Sequence, residues 1–403
     1  IFRYSLTGNL LMTPPALLAY AFRPFFLLVG LYGALSVFFW AGFLLAGWQL
    51  PTGLSIIQWH SHEMLYGMIP AAIAGFLLTA ITNWTSAPPL KGFKLLALVL
   101  LWLSGRILFA VSGSLSVPYG LVAAVDISFL LVLGISITIT LVQHRNYRNL
   151  ILVAIIALLI TGNSLVHIGI GRYDFELVQK GLNLGFNVIT LMMIVIAGRI
   201  TPAFSINWLK QQNRNFDAVQ TVKILDSTCI GSLVILIIVN LFFNELWLVT
   251  VLIFAGAANL IRLLLWAGWK VKSEPLLWVL HLGYFWIVTA LFIRGFGILF
   301  ESVPDSLWQH TLGVGAMGTL IFGVMTRVAV GHTGRKIKLV RFGVFIYIGI
   351  ALSTILRLAV AVKWLPFQPG ILLTSLCWVA ACVLFLILYW PILSKPRIDG
   401  RPG

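Results

Sequence analysis

The chain has 403 residues, of which 60% are hydrophobic and only 9% are charged. Soluble domains carry about 25% charged residues. This composition, with a mean hydropathy of +1.01, therefore excludes an ordinary soluble enzyme, a disordered scaffold, a coiled coil and a nucleic-acid-binding domain. A net charge of +16 can indicate nucleic-acid binding. It is also expected of a membrane protein whose basic residues lie in short cytoplasmic loops.

The three cysteines, Cys229, Cys377 and Cys382, all lie within or beside apolar segments, and no CxxC pair occurs. This excludes covalent c-type haem, cysteine-ligated iron–sulfur clusters and zinc fingers. A disulfide framework is not expected either. The first 23 residues lack the long apolar region of a cleavable signal peptide, so we expect none.

Long, continuous apolar segments run along the whole chain. A helix that crosses a bilayer needs about 20 mostly apolar residues, and a lipid-embedded backbone must form helices or a closed barrel. Apolar and polar residues do not alternate within these segments, as they would in the strands of a barrel. The sequence therefore predicts an all-α fold: one polytopic membrane domain over residues 1–403 with twelve transmembrane helices. The predicted spans are 24–47, 59–83, 93–112, 117–142, 150–170, 181–203, 222–242, 246–266, 275–300, 308–331, 339–361 and 369–391. The polar stretch 204–221 is predicted to link two groups of six spans.

The basic residues outside the spans are unevenly divided between the two sides. One set of loops and tails holds Arg3, Arg23, Lys91, Lys94, Arg145, Arg148, Lys210, Arg214, Lys223, Lys270, Lys272, Arg335, Lys336, Lys338, Arg341, Lys395, Arg397 and Arg401. The other set holds only Arg172, Lys180 and Lys363. Because basic residues concentrate in cytoplasmic loops, we predict that both termini are cytoplasmic.

Several ionisable residues fall inside the predicted spans, where they are costly and therefore functional candidates. The predicted topology places one group in the outer half of the membrane: His60, His62, Glu63, Arg106, Asp126, His167, Arg294, His310 and Arg357. A second group lies toward the inner side: Asn83, Arg199, Arg262, His281, Arg327 and His332. His144 lies in a basic loop and is expected to contact solvent.

Four of the outer side chains are histidines, and imidazole is a common ligand of haem iron, copper and zinc. Nearby arginines would neutralise haem propionates, and carboxylates would orient the second nitrogen of a ligating imidazole. The alternative is that each histidine only hydrogen-bonds a neighbouring helix. For the inner group, contact with lipid headgroups, a second cofactor, an anion gate and a polar clasp between helices all remain open.

The His60-Ser61-His62 spacing allows two arrangements. Residues i and i+2 of an α-helix point about 200° apart, so two helical histidines would face two different sites on either side of span two. If the helix began only after His62, both could chelate a single ion. The sequence does not decide between them.

Several motifs resemble those of one family. They are AFRPFF (21–26), WHSHEMLYG (59–67), AGFLLTAITNW (74–84), AGRITPAF (197–204), LHLGY (280–284), GAMG (315–318) and MTRVAVGHTGR (325–335). Together they resemble the NnrS family over spans one to ten, most densely in spans two and ten. Ser61 and Tyr66 depart from the family motif and leave the histidines and Glu63 in place.

The resemblance implies a bacterial inner-membrane protein that contains haem b, with copper as a further candidate metal. It also implies a role in nitric oxide metabolism and protection against nitrosative stress. It marks His60, His62, His167, His281, His310 and His332 as residues at or near metal sites, without assigning ligands. A looser resemblance, to subunit I of the haem–copper oxidases, rests on the outer histidines of spans two and ten. This chain lacks the histidine pair of span seven, so that resemblance does not predict a copper centre of the oxidase kind.

Our leading hypothesis is a haem b membrane protein that binds or reduces nitric oxide. His60 or His62 and His310 would be axial ligands, with His167 at a second metal or haem. Glu63 and Asp126 would carry protons. Arg106 and Arg294 would compensate charge, on haem propionates or on those two acids, and Arg199 and Arg327 would bind a cofactor. Electrons would come from a quinol or a cytochrome.

Two rival hypotheses belong to other classes. A non-enzymatic haem sensor or storage protein would have the same cofactor and no turnover. A secondary transporter of a small anion would use intramembrane arginines and a layout of six plus six helices, and it would contain no haem.

Overall fold

The computed structural model describes residues 15–49, 55–300 and 303–401. Arg3, which contributed to the orientation prediction, lies outside this part of the chain. Over the described residues the fold consists of helices and contains no strand. Twelve helices are long and apolar enough to cross a membrane: Phe22–Ala46, Ile56–Thr85, Gly92–Val111, Tyr119–Gln143, Tyr147–Gly171, Phe175–Gln211, Lys223–Phe242, Glu245–Leu265, Pro275–Phe300, Asp305–Gly331, Val344–Ala361 and Phe367–Leu393. The predicted all-α membrane protein with twelve spans is therefore confirmed.

Span six departs most from its predicted limits. It begins after Asp174, whose side chain accepts a hydrogen bond from the Leu177 amide at 3.0 Å and caps the helix. It ends at Gln211 instead of residue 203, so the first part of the predicted 204–221 linker is helical. The helix continues because Leu209 is buried in a small apolar cluster with Val271 and Leu277.

Three spans form the centre of the bundle. The most apolar windows of spans two, six and ten are 83%, 78% and 67% buried, whereas span nine reaches 61% and the other eight lie between 33% and 44%. The central spans are four apart in the chain, and because each span reverses the direction of the backbone, all three run the same way. The ring around them closes where span one packs along span twelve.

A polar clasp joins spans six to nine. Arg262 of span eight donates to the Asp226 carboxylate through Nε at 2.7 Å, to the Ile194 carbonyl at 3.2 Å and to the Tyr284 hydroxyl at 3.1 Å. The Tyr284 hydroxyl in turn donates to Asn259. Four alternatives were left open for the inner group, and Arg262 matches the polar clasp between helices. A buried guanidinium needs hydrogen-bond partners of this kind.

The described ends of the chain meet at one end of the bundle. Arg23, at the start of span one, donates to the carbonyl groups of Leu393 and Lys395 at 2.8 and 2.7 Å. Arg397 donates to the His332 carbonyl at 2.9 Å and to the Asp399 carboxylate, and this hydrogen bonding holds the pKa of Asp399 at about 2. The basic tail is thus fixed to spans one and ten. The cytoplasmic location of this end stays a prediction.

Candidate functional site

Spans two and ten share an unusual construction. Each begins with a short α-helix that contains histidine, Ile56–His62 or Asp305–His310. Each then widens into a π-helical turn, Glu63–Met68 or Thr311–Gly318, before it returns to an α-helix. Wide turns of this kind are rare in proteins as a whole, and those that occur are frequently found at functional sites. The two spans with the densest family motifs are therefore distorted at the same depth.

His60 and His62 face opposite sides of span two. Both belong to the short helix Ile56–His62, which begins at a capping box formed by Ser55 and Gln58. His62 points toward spans three, four and five, and its ring stacks on Phe109 of span three with centroids 4.4 Å apart. His60 points away from them and stacks on Trp40 of span one at 4.2 Å. The geometry therefore matches the arrangement in which two sites flank span two.

On the His62 side lies a buried charge cluster, which we define as His62, Glu63, Arg106, Asp126, Asn163 and His167. Each member is at most 5% exposed. Arg106 of span three donates to Glu63 Oε1 at 2.9 Å and also pairs with Asp126. Gly67 makes this possible, since a Cβ at that position would collide with the Arg106 guanidinium. One span-three arginine thus bridges carboxylates of spans two and four.

The hydrogen bonds of this charge cluster place both ring nitrogens of His62 against oxygen atoms. Asn163 Nδ2 donates to Asp126 Oδ2 at 2.8 Å, which turns Asn163 Oδ1 toward His62 Nε2 at 2.9 Å. His62 Nδ1 faces Glu63 Oε1 at 3.0 Å. A neutral imidazole donates to one of these two oxygens, whereas an imidazolium donates to both. Arg106 lies between the two carboxylates and compensates their charge, as burial in a low dielectric requires.

His167 extends the charge cluster toward the surface. Its Nε2 lies 3.0 Å from Asp126 Oδ2, and its Nδ1 lies 2.8 Å from the hydroxyl of the half-buried Tyr119. At the other end, the Tyr32 hydroxyl donates to Glu63 Oε2. The result is an unbroken chain of hydrogen-bonding side chains from Tyr119 to Tyr32.

Three members of the charge cluster also have the spacing of metal ligands. One ligand atom from each of His62, Asp126 and His167 lies within 4.8 Å of the others. However, every imidazole nitrogen in the set already has a hydrogen-bond partner. A cation would have to displace some of these hydrogen bonds.

On the opposite side of span two lies the His60–His310 cavity, which we define by these two histidines and Arg357. Its volume is about 200 Å³, within about 1140 Å³ of space between atoms when the open mouth is counted. Helices from spans one, two, six, ten, eleven and twelve line it. His310 Nδ1 lies 2.7 Å from the Ser306 carbonyl oxygen. Because a carbonyl only accepts, Nδ1 is protonated and Nε2 keeps the lone pair that a metal requires.

The residues of this cavity fit a haem. His60 Nδ1 is buried without a hydrogen-bond partner. Across residues 15–49, 55–300 and 303–401, Arg357 makes no hydrogen bond or ion pair, although it lies in an apolar span. Gly313 lines the same cavity and leaves open space where a side chain would stand. Two imidazoles with available nitrogens, a free cation and room for a flat ring are what an anionic macrocycle needs.

The family model of the NnrS protein matches residues 16–397, nearly the whole chain. The chain belongs to the NnrS family. Membership links this multi-pass membrane protein to the response to nitric oxide. A comparison with curated proteins gives no match.

Two outer arginines of this NnrS family member do not line the His60–His310 cavity. Arg106 binds the carboxylates of the charge cluster, as described above. Arg294 donates to Asn187 at 2.8 Å and to Asn240 at 3.2 Å, and its guanidinium lies over the Trp308 ring at 4.3 Å. Both arginines use terminal guanidinium nitrogens to bind these other partners, although Arg106 Nε is buried without a hydrogen bond.

The inner candidates contact a different set of partners. Arg199 donates to Asn149 at 2.7 Å, and Arg327 lies over the Phe204 ring at 4.0 Å. His281 Nε2 lies 3.2 Å from the hydroxyl of Ser205, the residue after Phe204, whereas His281 Nδ1 is buried without a hydrogen bond. His332 follows span ten, with its ring 5.7 Å from Phe22. A cofactor beside these inner residues stays a prediction.

Sequence reasoning missed several members of both sites in this NnrS chain. Arg357 was recognised as an intramembrane cation but was not assigned to a site. Tyr32, Asn163 and Tyr119 were not singled out. The signal for Asn163 was available, because an asparagine in the middle of an apolar span needs a hydrogen-bond partner. Arg357 could be assigned only once span eleven was known to pack beside His310.

Proposed function

We propose that this protein is a haem b protein of the bacterial inner membrane that binds or reduces nitric oxide, with the haem in the His60–His310 cavity. The observation that carries the proposal is the convergence of His60 and His310, from two central spans, on one cavity beside the uncommitted Arg357. Membership of the NnrS family supplies the link to nitric oxide. The role in protection against nitrosative stress follows from removal of the gas.

The side chains of the cavity have distinct tasks in this proposal. A bound haem supplies a redox-active iron for nitric oxide chemistry. The Ser306 carbonyl fixes the His310 tautomer and directs Nε2 to the metal. Trp40 stacks on His60 and holds its ring plane. Arg357 neutralises a propionate, which an apolar span would otherwise not accommodate.

The charge cluster serves as the proton source. Reduction of two nitric oxide molecules to nitrous oxide and water consumes two protons and two electrons, the latter supplied by a quinol or a cytochrome. In this proposal a proton that enters at Tyr119 passes to His167 and then to Asp126 through the hydrogen bonds described above. Asp126 Oδ2 lies 3.3 Å from His62 Nε2, and His62 Nδ1 faces Glu63, so these two residues follow. Glu63 lies three residues after His60 but on the other side of span two, so in this proposal the last proton transfer passes around span two to reach the cavity.

Copper has weaker support than haem. The set of His62, Asp126 and His167 offers two imidazoles and a carboxylate, which suit copper. The hydrogen bonds that already occupy the ring nitrogens of His62 and His167 oppose a metal there. The proposal therefore places haem iron in the His60–His310 cavity and treats copper as an outcome of metal analysis.

The test uses protein purified in detergent from cells supplied with haem. We expect a Soret band, a pyridine haemochrome of the haem b type and iron in the metal analysis. Consumption of nitric oxide by the reduced protein would support a reductase. Reversible binding without consumption would support the sensor or storage function instead. Protein that folds without haem would contradict the proposal and favour the anion transporter.

Arg357 provides a test of the proposed haem orientation. Replacement by alanine removes a positive charge from the cavity, so the oxidised haem gains relative stability and the midpoint potential falls by some tens of millivolts. A redox titration of the purified variant measures this shift. Lys363→Ala, in the loop after span eleven, is the matched control and should leave the potential unchanged. Equal potentials for Arg357→Ala and the unmodified protein would exclude the arginine as a propionate partner.

A further inference from the structure

A second cavity lies between span one and the three central spans, and it has an open mouth. Its volume is about 90 Å³, within about 680 Å³ of space between atoms when the open mouth is counted. All of its lining side chains are apolar, among them Ile69, Ala72, Ile189, Ala197, Leu320 and Val324. We call it the apolar cavity. The proposed chemistry does not use it.

The composition of the walls limits what the apolar cavity can hold. Water in a protein interior needs two to four polar partners, and apolar cavities without them stay dry. A cavity of about 150 Å³ lined by leucine, isoleucine and phenylalanine binds xenon or benzene. A smaller one of similar composition suits a small neutral gas. It offers no charge or hydrogen bond for an ion, a headgroup or a sugar.

The apolar cavity lies directly beneath the His60–His310 cavity. Ile69 lines both cavities. On span six, Phe186 lines the His60–His310 cavity and Ile189, about one helical turn further on, lines the apolar cavity. On span ten, Met317 and Leu320 are related in the same way. The two cavities are thus stacked along the three parallel central spans, with Ile69 between them.

We propose that the apolar cavity is a reservoir for a small neutral gas of the nitric oxide type, which passes Ile69 into the His60–His310 cavity. Nitric oxide partitions into apolar surroundings, so the reservoir raises its local concentration beside the redox site without any specific contact. The identity of the gas rests on the proposed function, whereas the capacity of the cavity to bind a gas does not.

Xenon is the probe, since it binds apolar cavities and needs no haem. Crystals of the full chain under xenon pressure should show one xenon site between Ala72, Ala197 and Leu320, located by anomalous scattering. Ala72→Leu should fill the space and abolish this site. Val324→Phe is a second filling variant in case Ala72→Leu folds poorly. Ala154→Leu, an exposed alanine on span five, is the matched control and should retain the xenon.

A second measurement connects the reservoir to the gas. After flash photolysis of nitric oxide from the haem-loaded protein, the fraction that rebinds without escaping should fall at least twofold in Ala72→Leu and stay constant in Ala154→Leu. Xenon bound by a protein that contains no haem would leave the reservoir standing and contradict the proposed function. Haem without a xenon site, detergent in the apolar cavity, or rebinding insensitive to Ala72→Leu would overturn the reservoir.

Discussion

The His310→Ala variant is expected to fold and to lose most of its bound haem. Removal of the imidazole takes away the one nitrogen whose lone pair is directed into the cavity by the Ser306 carbonyl. His60→Ala should have the same effect, since His60 approaches from the opposite wall. The measurement is the ratio of pyridine haemochrome to protein after purification, combined with the Soret position of any haem that remains.

The neighbouring histidines make this test specific. His62 lies two residues from His60 and faces the charge cluster, so folded His62→Gln should keep its haem content. His144, which is exposed at the end of span four, gives the matched control His144→Ala, with an unchanged spectrum. Haem retained in both His60→Ala and His310→Ala, or lost in His144→Ala, would refute the assigned pair.

Loss of the charge-cluster arginine should have the largest effect on stability. Arg106→Ala leaves Glu63 and Asp126 as buried carboxylates without the guanidinium that pairs with both of them. Breaking one partner of a buried ion pair lowers the free energy of unfolding by about 3–5 kcal/mol. Denaturation in detergent, followed by circular dichroism, measures this change. Little folded Arg106→Ala protein should be recovered from membranes.

A triple variant without the charges of Glu63, Arg106 and Asp126 separates the electrostatic effect from the effect of lost packing. Glu63→Gln, Arg106→Met and Asp126→Asn combined remove all three charges, so the triple variant should be more stable than Arg106→Ala alone. It should also turn over nitric oxide slowly, because the proton chain is cut while the His60–His310 cavity is intact. Arg172→Ala, on an exposed loop, is the control for loss of one arginine. A triple variant no more stable than Arg106→Ala would show that unpaired charge is not the cause.

The fold could be predicted from the sequence because bilayer thickness fixes the length of every span. Errors appeared where a helix leaves the lipid and other interactions define its end. Span six runs on to Gln211 because Leu209 finds an apolar partner surface outside the predicted span. Span eleven begins at Val344, not residue 339, because Phe342 adopts a positive φ of 66° that an α-helix does not allow.

The candidate site was only partly predictable. The depth of each ionisable residue follows from its position along a span, so the outer layer of histidines and acids could be named. Which of them meet depends on helix rotation and on which spans are neighbours. His60 and His310 come together with Arg357, whereas His62 and His167 meet through Asp126 and Asn163. Contacts between side chains of different spans leave no periodic pattern in the sequence, so they could not be predicted from it.

The wide turns of spans two and ten have a mechanical consequence. A π-helical turn contains one residue more than an α-helical turn, so everything before it is rotated by about 100° and raised by about 1.5 Å relative to a regular helix. Shortening Glu63–Met68 by a single residue would swing the start of span two, so that neither histidine faced its present partners. The register of one helical turn thus couples the orientation of His60 in its cavity to that of His62 in the charge cluster.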